Sequence, residues 1–138
     1  MWIFSRMSEK VSKTSELWRS APTREDLEAA RTYLSLLYSD ALANHLAREL
    51  ARAQTRRATA KDLLRASNLV LLSADELHVK QDLRRIRKGK PLPPVLLIRG
   101  DMSRGIPLVI ADGYHRICAI CYFDEDAPVA CRIARLRR

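Results

Sequence analysis

The stretch of this chain best equipped for chemistry is Asp112-Gly113-Tyr114-His115-Arg116. An arginine carries a planar fork of donors that matches a phosphate bidentately. A histidine donates to a phosphate oxygen or exchanges a proton near neutral pH. A carboxylate suits Mg2+ shared with phosphate oxygens, or the hydroxyl of a substrate. The types and spacing therefore point to a phosphate or nucleotide site. Gly113, His115 and Arg116 would grip the anion, Asp112 and His115 are catalytic candidates, and Asp112 is the metal candidate. Each residue also has a structural alternative. Arg116 suits an ion pair with a carboxylate, His115 a cap or a packing position, and Asp112 an N-cap. Tyr114 suits either stacking on a base or packing on a sheet.

The flanking sequence states how this stretch is held. Pro107-Leu108-Val109-Ile110 precedes it and Ile117-Cys118-Ala119-Ile120 follows. The pattern predicts a strand, a tight turn at Gly113 and a helix from Tyr114 to Phe123. Glycine reaches backbone conformations closed to other residues. A helix that starts directly after it presents free N–H groups and a positive dipole end to an anion.

Other candidates lie upstream. Asp75 and Glu76 begin a predicted helix that runs to Lys88, with Val79, Leu83 and Ile86 as its apolar face and Gly89 as its stop. Glu76 is a candidate base, although acids at helix starts also favour the dipole. His78 and Lys80 on this helix are candidates to line a cleft. Lys80, Arg84, Arg85, Arg87 and Lys88 form a dense basic patch, read either as a solvated face or as a surface for nucleic acid. Cys118 and Cys121 fall inside a helix, not at its N-terminus, so they read as buried, apolar-like cysteines. With His115 they do not share a tight helical face, which argues against a metal held by the three.

The rest of the chain supplies the frame. Residues 1–22 read as an N-terminal arm with Trp2 and Trp18 as docking points. A helical segment spans 23–67. It opens at the Thr23 cap and carries the stripe Leu27, Ala30, Leu34, Leu37, Ala41, Leu42, Leu46 and Leu50, with a break near Ser39-Asp40. Arg48, Arg52, Arg56 and Arg57 crowd its far end. Thr59 caps a short helix over residues 61–66. A domain over 68–138 then reads as a Leu69–Leu72 strand, the 76–88 helix, strands at 95–98 and 107–111 joined as a hairpin, the motif helix, and a last strand from Val129 to Leu136. The class is α+β, a small mixed sheet with packed helices. The N-terminal helices either pack on this domain or form a homodimer.

At 138 residues with a net charge of +9, the chain is long enough for one sizeable core and attracts polyanions. Its apolar runs are too short for a membrane span, and it reads as a cytoplasmic protein with no membrane partner.

Residues 94–98 and 107–116, in that order of elements, resemble the ParB/sulfiredoxin superfamily over roughly the C-terminal half. ParB proteins carry Gly-Glu-Arg-Arg in the turn and bind CTP. Sulfiredoxins carry Gly-Cys-His-Arg and use ATP. ParB-like free-serine kinases carry Asp-Gly-His-His-Arg, from which this chain differs only at Tyr114. The sulfiredoxin nucleophile is replaced by Tyr114, and the ParB glutamate is absent. The resemblance implies a ParB/sulfiredoxin-like fold, a nucleoside triphosphate (ATP or CTP) with Mg2+, and phosphotransfer or nucleotide hydrolysis. It also implies a catalytic base at Glu76. A non-catalytic DNA-binding or regulatory module is the alternative, and a nuclease is a weaker one.

Overall fold

The computed structural model describes residues 17–136. Trp2 and the terminal Arg137-Arg138 pair fall outside that range. The fold is α+β: five α-helices and a four-stranded mixed sheet among the described residues. Helices α1 (Arg24–Leu34) and α2 (Asp40–Arg52) come first, followed by strand β1 (Arg56–Thr59) and helix α3 (Ala60–Ser67). Then come α4 (Leu77–Arg87), β2 (Val95–Ile98), β3 (Val109–Asp112), α5 (Tyr114–Phe123) and β4 (Pro128–Ala134). The strand order is β1-β4-β2-β3, with β4 antiparallel to β1 and parallel to β2, and β3 antiparallel to β2. No helix among the described residues is long and apolar enough to cross a membrane.

Strand β2 is the centre of the molecule. Successive strand residues point to opposite faces, and here both faces are covered. Val95 and Leu97 enter one core with Ala60, Leu63, Val79, Leu83, Ile86, Ile117 and Ile120, from α3, α4 and α5. Leu96 and Ile98 enter a second core with Ala30, Leu34, Ala43, Leu46 and Leu50, from α1 and α2. The two N-terminal helices thus pack on the back of the sheet. Trp18 docks on the front core, its indole N–H donating to the Pro128 carbonyl at 3.1 Å.

Two elements differ from the sequence reading. The expected strand at Leu69–Leu72 is absent. The segment makes no ladder, and Val70 is 73% exposed. It is instead tethered to α5 by tyrosines: the Tyr114 hydroxyl donates to the Val70 carbonyl, and the Tyr122 hydroxyl to the Leu72 carbonyl at 2.6 Å. The fourth strand comes from Arg56–Thr59, read as the tail of a helix. Its two arginines are exposed at a sheet edge, where charge suits a strand that must not recruit another. Residues 35–39 also break the N-terminal helix, so Leu37 leaves the apolar stripe and is 48% exposed. Arg132 then reaches across from β4 to close α2, donating to the Ala51 carbonyl at 2.8 Å and the Leu50 carbonyl at 3.3 Å.

Candidate functional site

The motif lies where β3 becomes α5. Asp112 is the last residue of the strand, paired opposite Leu96 beside an irregularity in the β2 ladder. Gly113 alone makes the turn, at φ 111°. A Cβ at this position would also sit 2.5 Å from Val95 Cγ1 and 2.8 Å from Val95 Cβ. Both the left-handed backbone and the close approach to β2 therefore require glycine. The helix starts one residue later. Helices α1 to α4 are each capped by a side chain, from Thr23, Ser39, Thr59 and Glu76, but α5 has no such cap.

This turn forms one wall of a cleft of about 240 Å³. Asp112, Gly113, His115 and Arg116 line it on one side, and His78, Asp82 and Arg85 of α4 on the other. Asp26 of α1 and Pro93 close the floor. The motif residues singled out in the sequence are thus brought together, with Tyr114 directed elsewhere by its bond to Val70. Glu76 stands beside the cleft, its Oε2 3.7 Å from His115 Nε2.

Arg116 occupies the floor and is almost wholly enclosed. Its Nη2 donates to Asp112 Oδ2 at 2.5 Å, and its Nη1 to Asp26 Oδ2 at 3.1 Å and to the Pro93 carbonyl at 2.9 Å. The fork is engaged by protein acceptors, as the structural alternative in the sequence anticipated. Burial pushes the Asp112 carboxyl up to about 6, against the pull of Arg116, and Asp26 adds to the rise. One oxygen of this acid, Oδ2, is already held by the Arg116 guanidinium. Burial also raises Asp82, opposed by Arg116 and Arg85.

Glu76 is the opposite case. Its Oε2 accepts the Val79 N–H at 2.9 Å and its Oε1 lies 3.1 Å from His78 Nδ1. These hydrogen bonds, the one from Val79 foremost, hold its carboxyl down at about 2.

The basic patch divides. At about 100° per residue, Lys80, Arg84, Arg87 and Lys88 share a solvent face, and Arg85 turns with His78, Gln81 and Asp82 toward the cleft. Lys80 does not line it. Asp26 and Asp82 were missed as site residues. Asp82 had a signal, lying one turn from both His78 and Arg85. Asp26 had none beyond its place in the first turn of α1, because only the tertiary fold brings α1 under the motif. The three cysteines are free, and burial raises all their thiols, as for core residues.

Compared with known proteins, the chain matches no family model, no curated protein and no solved structure.

Proposed function

We propose that the cleft over residues 112–116 binds the phosphates of a nucleotide. The observation that carries this reading is the start of α5, which lacks a side-chain cap and whose turn lines one concave space with His115 and Arg85. An anion there meets backbone donors, a favourable helix dipole and two cationic or donor side chains. The resemblance of 107–116 to the phosphate turn of the ParB/sulfiredoxin superfamily supports the same ligand. In this reading Arg116 does not touch the phosphate: it holds Asp112 and Asp26 in place beneath the turn. At about 240 Å³ the cleft is smaller than a typical whole-ligand pocket of roughly 300–1,000 Å³. It suits the phosphates, with the nucleoside extending outward.

The test is a thermal-shift and titration series with ATP, CTP, GTP and their diphosphates, with and without Mg2+. A ligand that binds only the folded state raises its melting temperature. The deciding variant is Arg85→Ala, because Arg85 is exposed and its loss leaves the fold alone. A shift with one nucleotide that is lost in Arg85→Ala supports the reading. A shift that survives places the phosphates elsewhere, and no shift with any nucleotide removes the proposal. Turnover of the bound nucleotide, followed by phosphate release, then separates an enzyme from a binding module.

A second reading rests on the solvent face of α4. Lys80, Arg84, Arg87 and Lys88 are all exposed there, which favours contact with a polyanion such as DNA. Such binding weakens steeply with salt and is independent of Arg85.

A further inference from the structure

Phosphate binding leaves one arrangement at the mouth of the cleft unexplained. Glu76 and His78 come from the start of α4, His115 from the first turn of α5, and their ligand atoms all lie within 4.8 Å of one another. Among the described residues no other group of histidines, cysteines and acids converges in this way. The two imidazole rings are 4.8 Å apart between centroids and tilted by 41°. The carboxylate sits between them, 3.1 Å from His78 Nδ1 by one oxygen and 3.7 Å from His115 Nε2 by the other.

Those separations have a chemical meaning. Zinc bonds nitrogen and carboxylate oxygen at about 2.0–2.1 Å, so neighbouring ligands of a tetrahedral ion lie about 3.3 Å apart. The two distances fall on either side of that edge length, and all three side chains are at least partly exposed. Two imidazoles and one carboxylate favour a borderline cation over Mg2+, which prefers oxygen alone. The carboxylate is also held by the Val79 N–H, which donates to Oε2 at 2.9 Å, and metal-ligating acids are commonly hydrogen-bonded in this way.

We propose that Glu76, His78 and His115 bind one first-row transition dication, zinc the most natural, with a fourth coordination position left open toward the cleft. Three protein ligands with one open position is the pattern of catalytic zinc sites, where the ion polarises a bound oxygen. Since His78 and His115 also line the cleft, a ligand bound there would meet the ion. The metal site does not depend on the phosphate reading and is tested without any nucleotide.

The experiment uses the full chain without an affinity tag, stripped with chelator and titrated with Zn2+ by calorimetry and with Co2+ by visible absorption. The expected result is one ion per chain, with a tetrahedral or five-coordinate Co2+ spectrum that Zn2+ abolishes. His78→Ala and Glu76→Gln each weaken binding by roughly tenfold or more, whereas His45→Ala, on the far helix α2, leaves it unchanged. His78 is exposed and Glu76→Gln keeps a side-chain acceptor, so both variants retain the fold; circular dichroism and a melt verify this. An absence of stoichiometric binding, or binding that His78→Ala does not weaken, overturns the proposal. Arg85→Ala is expected to lose nucleotide and keep the metal, so the two readings fail separately.

Discussion

His115 and Arg116 are neighbours on the first turn of α5, and they face opposite fates. Arg116 turns inward, where its side chain is 9% exposed and every contact is an acceptor of the protein's own: Asp26, Asp112 and the Pro93 carbonyl. His115 turns outward, 42% exposed, toward a carboxylate and a second imidazole. One is a closed arrangement of a guanidinium among protein acceptors; the other is an exposed gathering of two imidazoles and a carboxylate. A motif that reads as one chemical unit is therefore two devices a residue apart. The arginine is tied into the turn, and the histidine faces the cleft.

The largest loss is expected at the arginine. Arg116→Ala strands two carboxylates in the floor, and removing one partner of a buried ion pair typically costs about 3–5 kcal/mol. Urea unfolding is expected to show a loss of at least about 3 kcal/mol at pH 7. Protonating Asp112, already raised by burial, should recover part of it toward pH 5. A loss under about 1 kcal/mol would make the triad a surface-like pair and return Arg116 to the list of ligand-binding residues.

Gly113→Ala comes next. The strained backbone and the collision with Val95 are expected to cost about 1–3 kcal/mol, seen as a lower urea midpoint. A neutral result would mean that the turn has slack and that β3 and α5 are not rigidly joined.

The two regions respond to pH with opposite sign. Asp112 sits at about 6 in the folded protein, above its ordinary 3.8, so the native state binds the extra proton between those values. Its contribution to stability is full below about 4 and is lost as pH rises through about 6. Glu76, lowered from 4.5 to about 2, has the opposite sign. Its contribution is full above about 4.5 and is lost as pH falls through about 2. Unfolding free energies across pH 2–8 are expected to lose the upper slope in Asp112→Asn and the lower slope in Glu76→Gln. If both variants flatten the same limb, the regions are one coupled network.

Arg85→Ala should be quietest in stability, within about 0.5 kcal/mol of the parent as for exposed sites, while weakening nucleotide binding in the titration. A stability loss well beyond that would reassign Arg85 to the framework.

Much of the frame was legible in the sequence because local rules agreed with the fold. Thr23 and Thr59 cap where their chemistry says, and Gly89 ends α4 with a positive φ. The turn at Gly113 and helix α5 stand where the pattern put them. The failures share one cause. Leu69–Leu72 has strand composition but joins no ladder and is tied to α5 by Tyr114 and Tyr122, and Arg56–Thr59 has helix-tail composition yet pairs with β4. Strand pairing is set by partners far along the chain, which local composition does not report. The same holds in the site. His115 and Glu76 were visible as residue types, but their meeting depends on α4 packing against α5, and the engagement of Arg116 depends on an aspartate of α1.

The place of β4 in the sheet has a consequence for how the chain matures. Strands β1 and β2 are not neighbours; each is joined to the other only through β4. During synthesis from the N-terminus, residues 56–59 leave the ribosome some seventy residues before the partner at 128–134. Until then β1 has nothing to pair with, the apolar faces of α1 and α2 lack the complete sheet beneath them, and Asp26 waits for Arg116. The nascent chain therefore carries unburied apolar surface and an unfinished edge until that segment emerges, the condition in which partly folded chains are prone to aggregate. Arrival of β4, Pro128–Ala134, is the event that closes the sheet.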